Sequence, residues 1–182
     1  KIKYMFPKAH AAAYVTNAFR IAWFKVHIPL AYYAAYYSIR AKAFDAQYMI
    51  FGKEKVKNKM KEIEMKNQKK EATKAELDMY DDLEIVLEMY ERGFEFLPVD
   101  IYESEASKFK IQDNKLRPPL NSIPGFGTVA AQGIVNARKD GKFMSIDDLK
   151  IRAKIGASGA ELLKQFGCLE GMSQSNQLSL FG

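Results

Sequence analysis

Apolar residues recur every three or four positions through the first half of the chain, the spacing of helices that pack through one face. From Pro7 to about Val26 no glycine or further proline interrupts this pattern, which predicts a long, largely buried helix. Pro29 disfavours the helical conformation at the residue before it, so a second helix should run from Leu30 to about Tyr48. We expect the two helices to pack as a hairpin that is enclosed on several sides.

Two amphipathic helices should follow, over residues 53–74 and 76–92. Their apolar residues lie at helical spacing, and most of the other positions are Lys or Glu in the first helix and acidic in the second. Gly93 can adopt the left-handed conformation that commonly ends a helix. We therefore expect the second helix to end just before it.

The remainder of the chain reads as a connector, a group of short helices and a tail. Pro98 and the Asp113–Asn114 pair, which separates short apolar runs, indicate a small irregular β-hairpin. Three short helices should begin near Gly127, Ser145 and Ser158, and residues 173–182 should form a polar tail. The predicted fold class is mainly α, a helical hairpin followed by a helix-hairpin-helix domain with a small irregular β-hairpin.

Composition narrows the class of protein. The 182 residues, of which 48% are apolar, can fill a core. A single cysteine, Cys168, excludes an internal disulfide, and with two histidines it cannot form a clustered zinc site. This cysteine usage predicts a reducing, cytoplasmic setting. No apolar stretch reaches about 18 residues and no signal peptide opens the chain, so no membrane or targeting role is expected. The first residue is Lys1, which favours a fragment of a longer protein.

The formal charge of +6 is unevenly distributed. Residues 1–52 carry seven basic side chains and one acidic, and residues 53–75 carry nine lysines and four glutamates. Residues 76–105 hold eleven acids and one arginine, whereas residues 106–164 hold eleven bases and five acids. Basic blocks of this kind supply the salt-sensitive part of nucleic-acid affinity. The alternative for the middle segment is that Lys and Glu simply solvate exposed helices.

The segment Ile123–Gly127 has the pattern of a helix-hairpin-helix motif. Its glycines, Gly125 and Gly127, allow a tight turn and close approach to a phosphate, and the amides at the start of the next helix would face the phosphate oxygens. Thr128 would add a hydroxyl, and the predicted basic rim consists of Arg138, Lys139 and Lys142. Such contacts hold duplex DNA without reading its sequence. The alternative is a glycine turn between packed helices.

A weaker second copy of this pattern runs from Lys154 to Gly159. It has the same combination of glycines and a following apolar helix. Both a second DNA contact and a purely structural turn remain open for it.

The first turn of the first helix is a candidate nucleotide site. Pro7 starts the helix, which places Lys8 and His10 near its amino end, where an anion is favoured. Tyr14 lies one turn beyond His10 on the same face. This arrangement suits a triphosphate with a base against the ring. The alternative is ordinary packing of a histidine beside a tyrosine.

The end of the tail, residues 177–181, suits insertion into a pocket on a partner. Its two apolar anchors, Leu180 and Phe181, follow Gln177, Leu178 and Ser179. The alternative is docking on the chain's own domain.

Several other features are not assigned a catalytic or metal role. The pairs Asp81–Asp82 and Asp147–Asp148 lie at or near predicted helix starts, where acids complement the helix dipole, and Ser145 with Asp148 resembles a capping box. Cys168 is expected to be a buried filler. The sequence also lacks a phosphate-binding P-loop, a dinucleotide glycine pattern and a Ser-His-Asp arrangement.

Taken together, five stretches resemble the end of the PolC-type DNA polymerase III alpha subunit over essentially the whole chain. They are Lys1–Tyr14 (KIKYMFPKAHAAAY), Phe24–His27 leading to Pro29, Pro119–Gly127 (PLNSIPGFG), Phe166–Leu169 (FGCL) and Gln177–Phe181 (QLSLF). The order and spacing of these stretches make the resemblance specific.

The resemblance implies three parts: later polymerase fingers at residues 1–92, a helix-hairpin-helix duplex-binding domain at 93–172, and a flexible tail at 173–182 that binds the sliding clamp. It places Lys8, His10 and Tyr14, with Phe6 close by, near the incoming deoxynucleoside triphosphate. It also implies that the catalytic aspartates and their magnesium belong to a palm domain outside this chain.

The expected function is part of a replicative DNA-directed DNA polymerase, a nucleotidyltransferase associated with the nucleoid. The expected partners are primer-template duplex, incoming nucleotide, the sliding clamp and the remainder of the polymerase chain. This piece alone should bind DNA and clamp without turnover. The alternative is a free-standing helix-hairpin-helix DNA-binding or repair accessory protein.

Overall fold

The computed structural model describes residues 7–175 and confirms a mainly α fold within that range. The helices of the first half are α1 (Lys8–His27), α2 (Pro29–Ile39), α3 (Ala46–Met49), α4 (Lys53–Gln68) and α5 (Lys74–Glu91). The second half contains β1 (Lys110–Gln112), β2 (Lys115–Arg117), α6 (Thr128–Ala137), α7 (Ile146–Ala153) and α8 (Ala157–Gln165), with 3₁₀ turns at Leu120–Ser122 and Arg138–Asp140. No helix in residues 7–175 has the length and apolarity needed to cross a membrane.

Helix α1 forms where the apolar pattern predicts it, but the expected burial is wrong for this chain. No residue along Lys8–His27 is buried, and Phe19 is 72% exposed. Helix α1 is joined to the body near its last turn, where Lys25 pairs with Glu88 of α5. The pattern predicted enclosure because apolar side chains surround the helix, yet the residues described here supply no cover for them.

Helix α2 ends at Ile39, so the predicted continuation to Tyr48 is wrong. Asp82 of α5 explains the early end, since its buried carboxylate accepts a hydrogen bond of 3.0 Å from the Ala43 amide. Asp45 then caps the short helix α3 with its side chain. Asp82 lies in the middle of α5, which also corrects its predicted place near a helix start.

Helices α4 and α5 form the predicted amphipathic pair. The first ends at Gln68, before Lys70 adopts a left-handed φ of 59°, and Thr73 with Glu76 forms a capping box for the second. The predicted glycine cap is confirmed, because Gly93 has a φ of 82°.

Ion pairs join the basic and acidic segments. Lys57 lies 3.0 Å from Glu91, and Lys66 lies 2.6 Å from Glu76. The hydrogen bond from Lys66, followed by those from Thr73, lowers the pKa of Glu76 to about 2. Exposed pairs of this kind contribute little stability. They nevertheless occupy part of the lysine-rich segment, which supports its interpretation as a solvated helical face.

Buried apolar side chains form one cluster that runs from α2 to the residues after α8. Its aromatic centre joins α2 to the connector: the ring of Tyr37 lies 5.7 Å from that of Phe96 and 5.4 Å from that of Phe109. Phe44 packs edge-on against Phe109 at 4.9 Å. The connector is therefore part of the core that links the helices of the first half to those of the second.

The predicted irregular β-hairpin is confirmed as strands β1 and β2. Asp113 and Asn114 form its turn with φ angles of 51° and 56°, the left-handed pair that a tight hairpin requires. A bridge between Phe96 and Leu116 attaches the preceding segment to this hairpin.

Candidate nucleic-acid interface

The segment Ile123–Gly127 forms a tight turn that ends at the start of α6. The Phe126 amide donates a hydrogen bond of 3.0 Å to the Ile123 carbonyl, and both side chains are buried. Gly125 has a φ of 78°, a conformation that favours glycine. Gly127 is the N-cap of α6. The buried anchors therefore fix the turn, while the glycines form its outer edge.

This outer edge faces solvent. Gly125, Gly127 and Thr128 are all exposed, and the N-terminus of α6 has no side-chain cap. The first amides of a helix have no partner within the helix, so those at the start of α6 are available to an external anion. The Thr128 hydroxyl accepts a hydrogen bond of 3.1 Å from Asn121, which leaves its own hydrogen for another acceptor.

Gly127 has no evident steric role within the described residues. Its φ of −71° suits any residue, and a Cβ atom added there would meet nothing within 4 Å. Gly133 contrasts with it, since a Cβ there would lie 2.3 Å from the Ala153 carbonyl oxygen. Packing of α6 on α7 therefore explains Gly133, whereas a ligand that approaches from outside would explain Gly127.

The hairpin also borders an open cleft of about 950 Å³. Gly125 and Gly127 themselves line this cleft. The rest of its lining carries both signs of charge, with Arg40 and Lys42 as well as acidic residues such as Asp78.

The three predicted basic residues follow α6, at the opposite end of that helix from the hairpin. A helix of ten residues is about 15 Å long, so the structure does not place them beside the glycines. Lys139 and Lys142 are exposed. The Arg138 guanidinium instead donates to the carbonyls of Ile101 and Ser104, at 3.0 and 2.6 Å. These bonds give Arg138 a structural role in this chain.

Arg152 organises the same basic loop and was missed by sequence reasoning. Its guanidinium donates to the carbonyl oxygens of Ala137, Gly141 and Lys142 at 2.6 to 3.0 Å. It also lies 4.7 Å above the centre of the Phe143 ring. A guanidinium offers several donors in a rigid plane, which suits one side chain to several carbonyls. In the sequence, the only sign of this role is that residue 152 is an arginine. Its partners are backbone carbonyls, which carry no residue-specific pattern.

The second copy of the hairpin pattern has matching geometry. Lys154 ends α7 in the left-handed conformation with a φ of 54°, and Gly156 is the N-cap of α8. Both residues are exposed, and α8 has no side-chain cap. The two bends are neighbours, because a Cβ at Gly159 would lie 3.3 Å from the Phe126 ring. A DNA contact and a structural turn both remain open for this copy.

The predicted nucleotide residues share the exposed amino end of α1. Lys8 and His10 lie in its first turn, and the Tyr14 ring, which is 65% exposed, lies 4.5 Å from the His10 ring centre to centre. The structure thus brings these three side chains onto one helix end. Phe6 lies outside the described residues.

The predicted clamp-binding residues, 177–181, also lie outside the described residues. The chain that leads to them is held against the start of α7: the Ile146 and Asp147 amides donate to the carbonyls of Ser173 and Gln174 at 2.9 and 3.2 Å.

The other acidic pairs and the cysteine have structural contacts. Ser145 caps α7 by accepting a hydrogen bond from the Asp148 amide, and the Asp148 carboxylate accepts one from the Met144 amide. Burial raises the pKa of the Cys168 thiol to about 12, and the thiol lies 3.4 Å from the Val99 carbonyl. These contacts agree with capping and filling roles. Residues 7–175 contain no group of three or more His, Cys, Asp or Glu side chains placed to hold a metal.

Comparison with known proteins shows similarity to one family model and to several whole proteins. A family model described as a helix-hairpin-helix motif matches residues 93–178. The whole chain is similar to DNA polymerase III PolC-type from three bacteria. The identity is 51% over 181 residues for Caldanaerobacter subterraneus subsp. tengcongensis, 50% over 182 for Clostridium perfringens and 49% over 181 for Streptococcus pneumoniae serotype 2.

These matches cover 100% of this chain but only 12% to 13% of each relative. The chain therefore spans about one eighth of the length of the relatives it matches. The predicted resemblance is confirmed over α1 to α8, and the predicted helix-hairpin-helix segment is confirmed by the family model.

Proposed function

From its full-length similarity to PolC-type DNA polymerase III, we propose that this chain is one part of a bacterial replicative DNA-directed DNA polymerase. It contacts the incoming nucleotide, holds the duplex and connects the enzyme to the sliding clamp. The catalytic aspartates and their magnesium lie elsewhere in the parent enzyme. A free-standing DNA-binding or repair accessory protein is not favoured, because the match includes α1 to α5 as well as the helix-hairpin-helix residues.

Duplex binding has the strongest support, and the observation that carries it is the exposed turn at Gly125 and Gly127. Amides at the start of α6 carry partial positive charge and lie on an open surface. They would hydrogen-bond to phosphate oxygens, and Lys139 and Lys142 would add charge at a second place along the backbone. Because amides do not distinguish bases, this contact would hold any duplex sequence as the polymerase moves.

We assign nucleotide binding to the amino end of α1. The Lys8 ammonium would attract the triphosphate, and the positive end of the helix would add to that attraction. The exposed ring of Tyr14 would pack against the base or base pair. We assign these residues to binding and orientation, not to proton transfer.

Two further surfaces complete the proposal. The exposed apolar side chains of α1, which include Phe19 and Trp23, would pack against the remainder of the polymerase chain. The tail residues 177–181 would insert Leu180 and Phe181 into a pocket of the sliding clamp. The tail would then retain the polymerase on DNA while the hairpin grips the backbone.

The duplex contact can be tested with a matched pair of variants at one position. Asp and Asn are both good N-cap residues, so Gly127→Asp and Gly127→Asn should both preserve α6, and they differ only in charge. In the full-length polymerase, Gly127→Asp should weaken duplex binding by about tenfold or more relative to Gly127→Asn, because a carboxylate next to a phosphate repels it. Fluorescence anisotropy with a labelled duplex measures the difference.

Equal duplex affinity for the two variants, with both folded, would contradict the phosphate contact at this turn. The clamp assignment has a separate test. Deletion of residues 177–181 should abolish or strongly weaken clamp binding while duplex affinity stays the same. An unchanged clamp affinity would remove that assignment.

A further inference from the structure

The regular helical geometry is interrupted at the junction between α1 and α2. Pro29 has no amide hydrogen, and Ile28 departs from helical geometry with a φ of −135° and a ψ of 58°. No α1 residue is buried, so packing does little to fix the direction of this helix within the described chain. Within the described residues, the angle between α1 and α2 therefore depends on contacts at the junction, to which the remainder of the polymerase would add its packing on α1.

Two side chains at the C-terminal end of α5, Glu88 in its last turn and Arg92 at its C-cap, bridge this junction. Glu88 accepts a hydrogen bond of 2.6 Å from Lys25, before the break, and one of 3.1 Å from the Tyr33 hydroxyl, after it. Arg92 repeats the arrangement, because it donates to the Lys25 carbonyl at 2.9 Å and to the Tyr33 hydroxyl at 3.0 Å. Each residue of the Glu88–Arg92 pair thus holds both helices.

The bridge has well-anchored partners. Tyr33 is fully buried and belongs to the aromatic core, so it ties the Glu88–Arg92 pair to the body. The Arg92 guanidinium also lies over the Tyr33 and Phe94 rings at 5.7 and 5.8 Å. Burial alone would lower the pKa of Lys25, but the hydrogen bond and charge of Glu88 raise it, so the lysine stays charged at neutral pH.

We propose that Glu88 and Arg92 are positioning residues for the incoming nucleotide, acting by fixing the angle of α1 at the Ile28–Pro29 break. The inference rests on the proposed nucleotide role of Lys8, His10 and Tyr14. Those residues lie toward the far end of α1, and Lys8 is 17 positions before Lys25, a distance of about 25 Å along the helix. Neither Glu88 nor Arg92 touches the nucleotide in this account.

The length of α1 makes this angle important. A rotation of about 5° at the junction would displace the Lys8 end by about 2 Å over a helix of this length. A displacement of this size would take the Lys8 ammonium out of hydrogen-bonding distance of a phosphate oxygen, since such bonds lie within about 3.2 Å. A small loss of restraint at α5 would therefore have a measurable effect on nucleotide use.

Steady-state kinetics of the full-length polymerase on primer-template test this inference. Arg92→Gln and Glu88→Gln should each raise KM for the deoxynucleoside triphosphate by about five- to tenfold and change kcat less than about twofold, the pattern for lost ground-state binding. Duplex affinity should not change. Glu91→Gln is the matched control, because Glu91 lies on the same helix and pairs with Lys57 of α4 instead of α1.

A double-mutant cycle separates positioning from general stability. If Arg92 acts through the Lys8 end of α1, the effects of Arg92→Gln and Lys8→Ala on KM should be strongly non-additive, whereas independent sites this far apart combine additively. Full additivity would overturn the inference. So would an effect of Glu91→Gln equal to that of Glu88→Gln.

The inference and the proposed function fail in different ways. An unchanged KM in Arg92→Gln, beside a raised KM in Lys8→Ala, would overturn the inference alone. If Lys8→Ala and Tyr14→Ala both leave KM unchanged, the nucleotide role of α1 is wrong and the inference falls with it.

Discussion

Helix α1 and the helix-hairpin-helix region, residues 93–172, are organised in opposite ways. Helix α1 is apolar yet exposed along its length, and it is held to the body by polar contacts near its last turn. The helix-hairpin-helix region fully buries apolar residues such as Ile134, Leu149 and Leu163, and presents the turn at Gly125 and Gly127 to solvent. The first region depends on surfaces from elsewhere for its packing, whereas the second packs within the core cluster of this chain.

Gly133→Ala should have the largest effect of the changes that test this contrast. A Cβ there would lie 2.3 Å from the Ala153 carbonyl, so α6 and α7 would have to separate. Overpacking of this kind costs about 1–3 kcal/mol of the free energy of unfolding. Urea denaturation of this chain measures the loss, and Gly127→Asn is the control, because Asn is a good N-cap residue and the added Cβ there meets nothing within 4 Å. Equal stability of the two variants would contradict the close packing of α6 and α7.

Arg152→Lys should have the next largest effect. The lysine keeps the charge but cannot bond the carbonyls of Ala137, Gly141 and Lys142 together. The bond to the Ala137 carbonyl is partly buried, so its loss costs about 1 kcal/mol or more, whereas the bonds to Gly141 and Lys142 are exposed and their carbonyls can bind water instead. The basic loop should also lose its fixed position, so the salt dependence of duplex binding by the full-length polymerase should become shallower. A wild-type melting curve and salt slope would exclude the organising role of Arg152.

Glu76→Gln should have a smaller, pH-dependent effect on stability. Its contacts lower the pKa of Glu76 from 4.5 to about 2 in the folded chain. A depressed pKa stabilises the folded state above the unfolded pKa, and this contribution is lost as the pH falls through the folded pKa. The difference in melting temperature between wild type and Glu76→Gln should therefore stay constant above about pH 4.5 and shrink toward pH 2. A difference that does not vary over this range would show that the ion pair and cap are not formed.

Phe19→Ser should have the smallest effect on the stability of this chain. The side chain is 72% exposed and packs on little within the described residues, and surface changes of this kind stay within about 0.5 kcal/mol. In the full-length polymerase the same change should lower the melting temperature, because we propose that the remainder of the enzyme covers Phe19. Parallel melts of the chain and the polymerase test this. Equal effects in both would contradict a covering surface outside the chain.

The contrast between α1 and the helix-hairpin-helix region also explains which features the sequence could predict. Local patterns were sufficient where the chain itself completes the contact: the left-handed Gly93, the Asp113–Asn114 turn and the exposed hairpin at Gly125 and Gly127 were all expected. The bounds of α1 were predicted, but its exposure was not. Apolar periodicity shows that side chains must be covered, and it does not show which part of the protein covers them.

The remaining errors share one physical cause. Asp82 ends α2 through a contact with a loop 39 residues earlier in the chain, and Arg152 holds a loop through carbonyls ten or more residues away. Backbone acceptors and donors carry no residue-specific signal, so such contacts are invisible in one sequence. The same holds for the Glu88–Arg92 pair, whose partners lie on two other helices.

The most direct test of the account is amide hydrogen exchange at the hairpin in the full-length polymerase, with and without primer-template duplex. If the amides at the start of α6 bind phosphate, exchange in residues 127–130 should slow when duplex is bound, and Gly127→Asp should abolish this protection. Unchanged exchange in these residues, measured while the polymerase is saturated with duplex, would contradict the claim that this turn holds the DNA backbone.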